Sequence, residues 1–136
     1  MEATTIGITI VRDWRELYEA IWRPEFFPSW ALGLADASLR QADGVWHADG
    51  PEGPVEIRFT AHNAFGVMDH WVGLQDGQVA YVPLRVIANG AGAEVLLTLF
   101  RQPGQSEATF ARDADWVRRD LAALRSLTER PLSQDS

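Results

Sequence analysis

Few side chains in this sequence have the chemistry to act on a small molecule, and their spacing says which of them can work together. There are three histidines (His47, His62 and His70) and no cysteine. Disulfides, thiolate metal sites, iron–sulfur clusters and a cysteine nucleophile are therefore excluded. His70 lies in the strand-like run Val67–Leu74, Tyr81 and Arg85 in Gln78–Ile87, and Glu94 and Thr98 in Ala93–Arg101. Alternate strand residues share a face. With Asp76-Gly77 as a two-residue turn, Met68 lies opposite Arg85 and Val72 opposite Tyr81. With Asn89-Gly90 as a second such turn, Glu94 lies directly across from Arg85. A turn at Ala64-Phe65 brings Phe59 to the same side. One face then sets His70, Tyr81, Arg85, Glu94 and Thr98 among Ile57, Phe59, Met68, Val72 and Leu96. That face is expected to be the concave, ligand-facing one, provided no bulge interrupts the alternation.

Each of these residues has a functional and a structural reading. Arg85 in an apolar hollow would hold a carboxylate, enolate or phenolate oxygen; equally, Arg85 and Glu94 would be a cross-strand ion pair that closes the sheet. His70 is the group suited to acid–base work near neutral pH, or a histidine hydrogen-bonded to a neighbour. Tyr81 could donate to a ligand carbonyl, and Trp30 is expected at the mouth of the hollow. Asp69 and His70, adjacent in a strand, point to opposite faces and form no dyad. The three histidines fall on different strands, so no metal is expected. Gly90–Gly92 lacks the third glycine and the helix of a dinucleotide fingerprint, and neither a nucleophile elbow nor HExxH occurs, so no cofactor is expected.

The elements that position these residues follow from local patterning. Thr4–Val11 is a β-branched strand, and Asp13 with Glu16 forms a capping box. Trp14, Leu17, Tyr18, Ile21 and Trp22 then line one face of a short helix that Pro24 ends. Pro24–Trp30 has room for one more turn. Six strand-like runs follow (Ala37–Gln41, Val45–Ala48, Val55–His62, Val67–Leu74, Gln78–Ile87 and Ala93–Arg101), broken by Asp43-Gly44, Pro51–Pro54, Asn63–Gly66, Asp76-Gly77 and Asn89-Gly90; the Asp-Gly and Asn-Gly pairs mark antiparallel hairpins. Ser106 caps a long helix to Arg130 with the stripe Phe110, Ala114, Val117, Leu121, Leu124 and Thr128. Residues 1–130 are expected to form a single domain and 131–136 a frayed tail. That helix must bury its stripe on the sheet, and a curved sheet leaves a hollow beneath it.

The chain has 136 residues, enough for one core without staples. Its net charge of −7, with arginine as the only strong base, argues against nucleic acid. No apolar run is long enough to span a membrane and the N-terminus lacks signal-peptide character, so a cytoplasmic protein is expected.

The element order resembles the α+β helix-grip fold of the SRPBCC (START-like) superfamily. Trp14–Ala31 resembles the superfamily's opening helix and the proline- and tryptophan-bearing segment after it, and Asn63–Val72, Pro83–Arg101 and Val117–Arg125 resemble small bacterial polyketide cyclase/dehydrase-like proteins. This resemblance implies a sheet of about seven strands around the C-terminal helix and a cavity for a small hydrophobic, possibly anionic ligand. Three roles are open: a carrier, a cyclase, dehydratase or isomerase using His70 as acid/base and Arg85 as oxyanion stabiliser, or a protein whose cavity is filled by its own side chains. The remaining apolar face, with Trp71, Val82, Leu84 and Val86, is expected to pair two copies as a homodimer through the Gln78–Ile87 and Ala93–Arg101 strands.

Overall fold

The structure is a computed structural model that describes residues 1–32, 39–50, 53–74 and 76–129. β1 (Ala3–Ile10) is followed by α1 (Trp14–Ile21), a 3₁₀ segment (Pro24–Ser29), β2 (Arg40–Ala42), β3 (Val45–Gly50) and β4 (Gly53–Phe59). Then come β5 (His70–Gly73), β6 (Val79–Val82), β7 (Leu84–Asn89), β8 (Gly92–Phe100) and α2 (Glu107–Thr128). The first two residues of the expected Ala37–Gln41 strand, and the tail 131–136, lie outside the described residues; the rest of that strand runs into β2. No helix among those residues is long and apolar enough to cross a membrane.

All pairings are antiparallel, in the orders β2-β3-β4-β5-β6 and β1-β8-β7. β6 and β7 are two halves of the expected Gln78–Ile87 strand, divided at Pro83, which has no N–H to give a ladder. The halves stay joined because Met68 N–H donates to Leu84 O (2.7 Å), Val86 N–H to Gly66 O (2.9 Å) and Thr98 N–H to Pro83 O (3.0 Å). The two sheets thus act as one bent surface.

Helix ends form where the capping chemistry places them. Asp13 Oδ2 accepts the N–H groups of Arg15 and Glu16 at 3.2 and 3.1 Å; the Glu16 carboxylate, expected to complete a box, instead pairs with Arg12 at 3.7 Å. Ser106 Oγ accepts the Thr109 N–H at 3.1 Å. The expected α2 stripe is the buried one, from Phe110 to Thr128. That stripe and the buried face of α1 share one core with Ile6, Ile10, Leu84, Val86, Val95 and Leu97 of the sheet. Each large aliphatic side chain buried there contributes about 1.5–3 kcal/mol.

That core corrects the expected facing of half the sheet. His70 pairs with Val82 and Trp71 with Tyr81, one residue away from the expected register. The β5–β6 hairpin closes between Leu74 N–H and Gln78 O (2.8 Å), with Gly77 at φ 84°, so it spans an odd number of residues. Asp76 Oδ1 stabilises the turn by accepting the Gln78 N–H at 2.9 Å. A three-residue loop with its last residue left-handed is a standard hairpin alternative to the two-residue turn. Because the side-chain period is two, a shift of one carries every later side chain to the opposite face. His70, Phe59 and Val72 stay on the α2 side, whereas Tyr81, Arg85, Glu94 and Thr98 stand on the outer side. The β7–β8 turn sits at Gly90-Ala91, with Asn89 paired to Gly92 and Glu94 paired to Ile87, so Glu94 is not across from Arg85. Val82, Leu84 and Val86, expected on the outer face as a dimer patch, face α2, and the latter two are core.

Candidate functional site

A cleft of about 810 Å³ opens between the sheet and the N-terminal half of α2. Its sheet wall is aliphatic (Val55, Val72, Ala80, Val82 and Leu99), and α2 contributes Thr109, Phe110, Asp113 and Trp116. The exposed polar residues Asp76, Ser106 and Arg112 and the half-buried Gln102 also border it. The hydroxyl-bearing cap and the Gln105–Asp113 hydrogen bond (2.6 Å) fix the start of α2 over the cleft. Of the residues expected to touch a ligand, only Tyr81 lines this space.

His70 is sealed behind the cleft, with 4% of its surface exposed. Its Nδ1 lies 3.2 Å from Met68 O, so the neutral ring donates there, and the rings of Phe27, edge-on, and Phe59, tilted, close around it at 5.2 and 5.7 Å between centroids. Burial pushes its pKa down to about 4 against the opposing effect of the Met68 contact, so the ring is neutral near pH 7. The void shared by His70 and Phe59 measures about 10 Å³, the size of a single water and no larger ligand. Trp30, expected at the mouth, is a core residue at 1% exposure, with its ring edge-on to Phe27.

On the outer face, Arg85 pairs with Asp69 and not with Glu94. Its Nε and Nη2 donate to the Asp69 carboxylate at 2.8 and 2.7 Å. The same carboxylate accepts the Tyr81 hydroxyl at 2.6 Å and the Leu84 N–H at 2.9 Å. Burial alone would raise the Asp69 pKa, yet the hydrogen bonds from Arg85, Tyr81 and Leu84 pull it down to about 2. Donating to that carboxylate raises the pKa of Tyr81, and the same contact raises that of Arg85. Glu94 accepts instead from Thr9 (2.6 Å) and Asn89 (3.1 Å), and Thr98 shares a hydrogen bond with Thr5 (2.8 Å). Among the described residues, no three His, Asp or Glu side chains converge as a metal would require.

Solved structures match this architecture closely. XoxI from Bacillus cereus is 16% identical, with 93% of this chain and 95% of that one aligned at a TM-score of 0.73. Ara h 8.0201 is 11% identical over 93% of this chain and 96% of that one, at 0.67. DynU16, a protein of the dynemicin biosynthetic locus, is 14% identical over 93% of this chain but 46% of its own, at 0.68. The chain has the helix-grip fold. No family model matches the sequence, and no curated protein matches it either.

Within the helix-grip frame, the sequence reading missed two carboxylates. In the sequence Asp69 stands out only as the neighbour of His70. The signal for its real role is Pro83, a proline inside a strand run, which demands a substitute for the lost ladder bond. Asp120 on α2 accepts the Leu32 N–H at 2.9 Å, and burial, opposed by that bond, raises its pKa to about 6. No local pattern around Asp120 announces a burial that depends on the chain crossing α2.

Proposed function

We propose that the protein binds a small molecule with an apolar body in the cleft beneath α2. The observation that carries this reading is the aliphatic and aromatic wall of Val72, Val82, Leu99 and Phe110 around about 810 Å³, within the size range of small-molecule sites. Any charge on the ligand belongs at the border near Arg112, because Arg85 stands on the far side of the sheet. The DynU16 protein of the dynemicin biosynthetic locus has a similar shape, and the resemblance of the sequence to polyketide cyclase/dehydrase-like proteins favours a polyketide-like, cyclic molecule as the candidate class.

A carrier role fits better than a cyclase, dehydratase or isomerase built on His70 and Arg85. Those two side chains face opposite sides of the sheet and have no shared substrate atom. The experiment is a fluorescence titration with the neutral probe N-phenyl-1-naphthylamine, alongside native mass spectrometry of protein purified from its own host. Saturable probe binding that Val82→Trp abolishes, with the fold intact, is the expected result. Equal binding by both proteins would remove the cleft as the site.

A further inference from the structure

Tyr81 stands where the two halves of the sheet part. Among the described residues, the last backbone link there is Thr98 N–H to Pro83 O; beyond it, β6 and β8 have no ladder between them. What spans the gap is a row of rings. Tyr81 stacks on Trp71 on one side (5.3 Å, 24°) and on Phe100 on the other (6.3 Å, 18°). Tyr81 and Phe100 both line the cleft beneath α2, so the seam that these rings close is the candidate side opening into it.

The Tyr81 ring is more than a third exposed, and burial alone does not hold it. Its hydroxyl is fixed instead, through the 2.6 Å bond to Asp69. Asp69 is itself 5% exposed and immobilised by Arg85 and the Leu84 N–H. The geometry points to Tyr81 as the residue that sets how readily ligands pass the side opening, with Asp69 as the positioning residue that pins its ring against Phe100. A molecule passing between β6 and β8 must part the Tyr81–Phe100 pair, and two near-parallel rings part into a slot that favours flat molecules. This inference rests on the reading of the cleft as the ligand site.

The test measures uptake of N-phenyl-1-naphthylamine by stopped-flow fluorescence, well below the unfolding temperature. Tyr81→Phe keeps the ring and loses its anchor. Loss of a hydrogen bond to a charged acceptor corresponds to on the order of ten-fold in the open population, so uptake should quicken by about that factor. Asp69→Asn should quicken it less, and Tyr81→Ala at least as much as Tyr81→Phe. Thr9→Val removes an outer-face hydrogen bond away from the opening and should leave the rate unchanged, which separates positioning from general loosening.

A second readout needs no variant. The chain has two tyrosines, so 3-fluorotyrosine labelling gives two ¹⁹F resonances, and the probe should move that of Tyr81 but not that of Tyr18. If Val82→Trp blocks binding while Tyr81→Phe takes up probe at the native rate and the Tyr81 resonance stays put, the side opening is wrong and the cleft survives. If the native protein does not bind the probe, or Val82→Trp binds it equally, the cleft reading falls and this inference with it.

Discussion

The guanidinium of Arg85 and the carboxylate of Asp69 meet in a two-pronged pair, 2.8 and 2.7 Å, on the side of the sheet that faces away from α2. They sit at the break that Pro83 makes between β6 and β7. The carboxylate replaces the ladder there by taking the Leu84 N–H and the Tyr81 hydroxyl, so this pair is a structural clamp across a strand interruption.

Removing either partner should therefore destabilise the fold by unequal amounts. Arg85→Leu leaves Asp69 with two neutral donors, and because the arginine side chain is 46% exposed the loss should be about 1–2 kcal/mol, below that of a buried pair. Asp69→Ala should cost more, since it also orphans the Leu84 N–H. Urea unfolding at neutral pH distinguishes the two; equal or negligible losses would contradict the clamp.

Asp69 also sets an acid limit. Its folded pKa, about 2, lies below the value of an unfolded aspartate. Its contribution is thus full above about pH 4 and disappears as the pH falls from there through 2. Asp69→Asn should flatten the stability curve in that window and nowhere else.

His70 and Asp120 act in opposite directions at milder pH. The folded pKa of His70 is depressed to about 4, so the unfolded chain takes up a proton first and stability falls as pH drops from about 6.5 to 4, by on the order of 3 kcal/mol. The folded pKa of Asp120 is raised to about 6, so the unfolded chain loses its proton first and stability falls as pH rises from about 4 to 6. Native protein should show a nearly flat profile between pH 4 and 6. His70→Gln should reveal a decline with rising pH across that range, and Asp120→Asn, which keeps an acceptor for Leu32, a decline with falling pH. Melting temperatures taken at half-unit pH steps would show both slopes, and single variants indistinguishable from the native profile would refute the opposing pair.

Two glycines with positive φ make a controlled comparison. Gly66 (φ 71°) has no room for a Cβ, which would overlap the Val86 carbonyl, whereas Gly44 (φ 77°) faces open space. Gly44→Ala should cost about 1 kcal/mol from backbone strain alone, and Gly66→Ala should cost at least twice that. Similar losses in thermal unfolding would mean that the loop before β5 yields where the structure shows it fixed.

Local chemistry decided much of this protein. The caps at Asp13 and Ser106, the stripe from Phe110 to Thr128, the antiparallel meander and the helix-grip order all depend on residues within a few positions of one another, and such short-range preferences are readable along a chain. The facing of the later strands was not local. It depended on whether the turn after Leu74 holds an even or an odd number of residues, and Asp76-Gly77 suits both. Tertiary packing chose the odd one, because it places Leu84, Val86, Val95 and Leu97 in the core shared with α1 and α2 and leaves the charged Arg85 and Glu94 in contact with water. That single choice separated His70 from Arg85, gave Asp69 its partners, and left the hollow under α2 lined by side chains that no motif singles out.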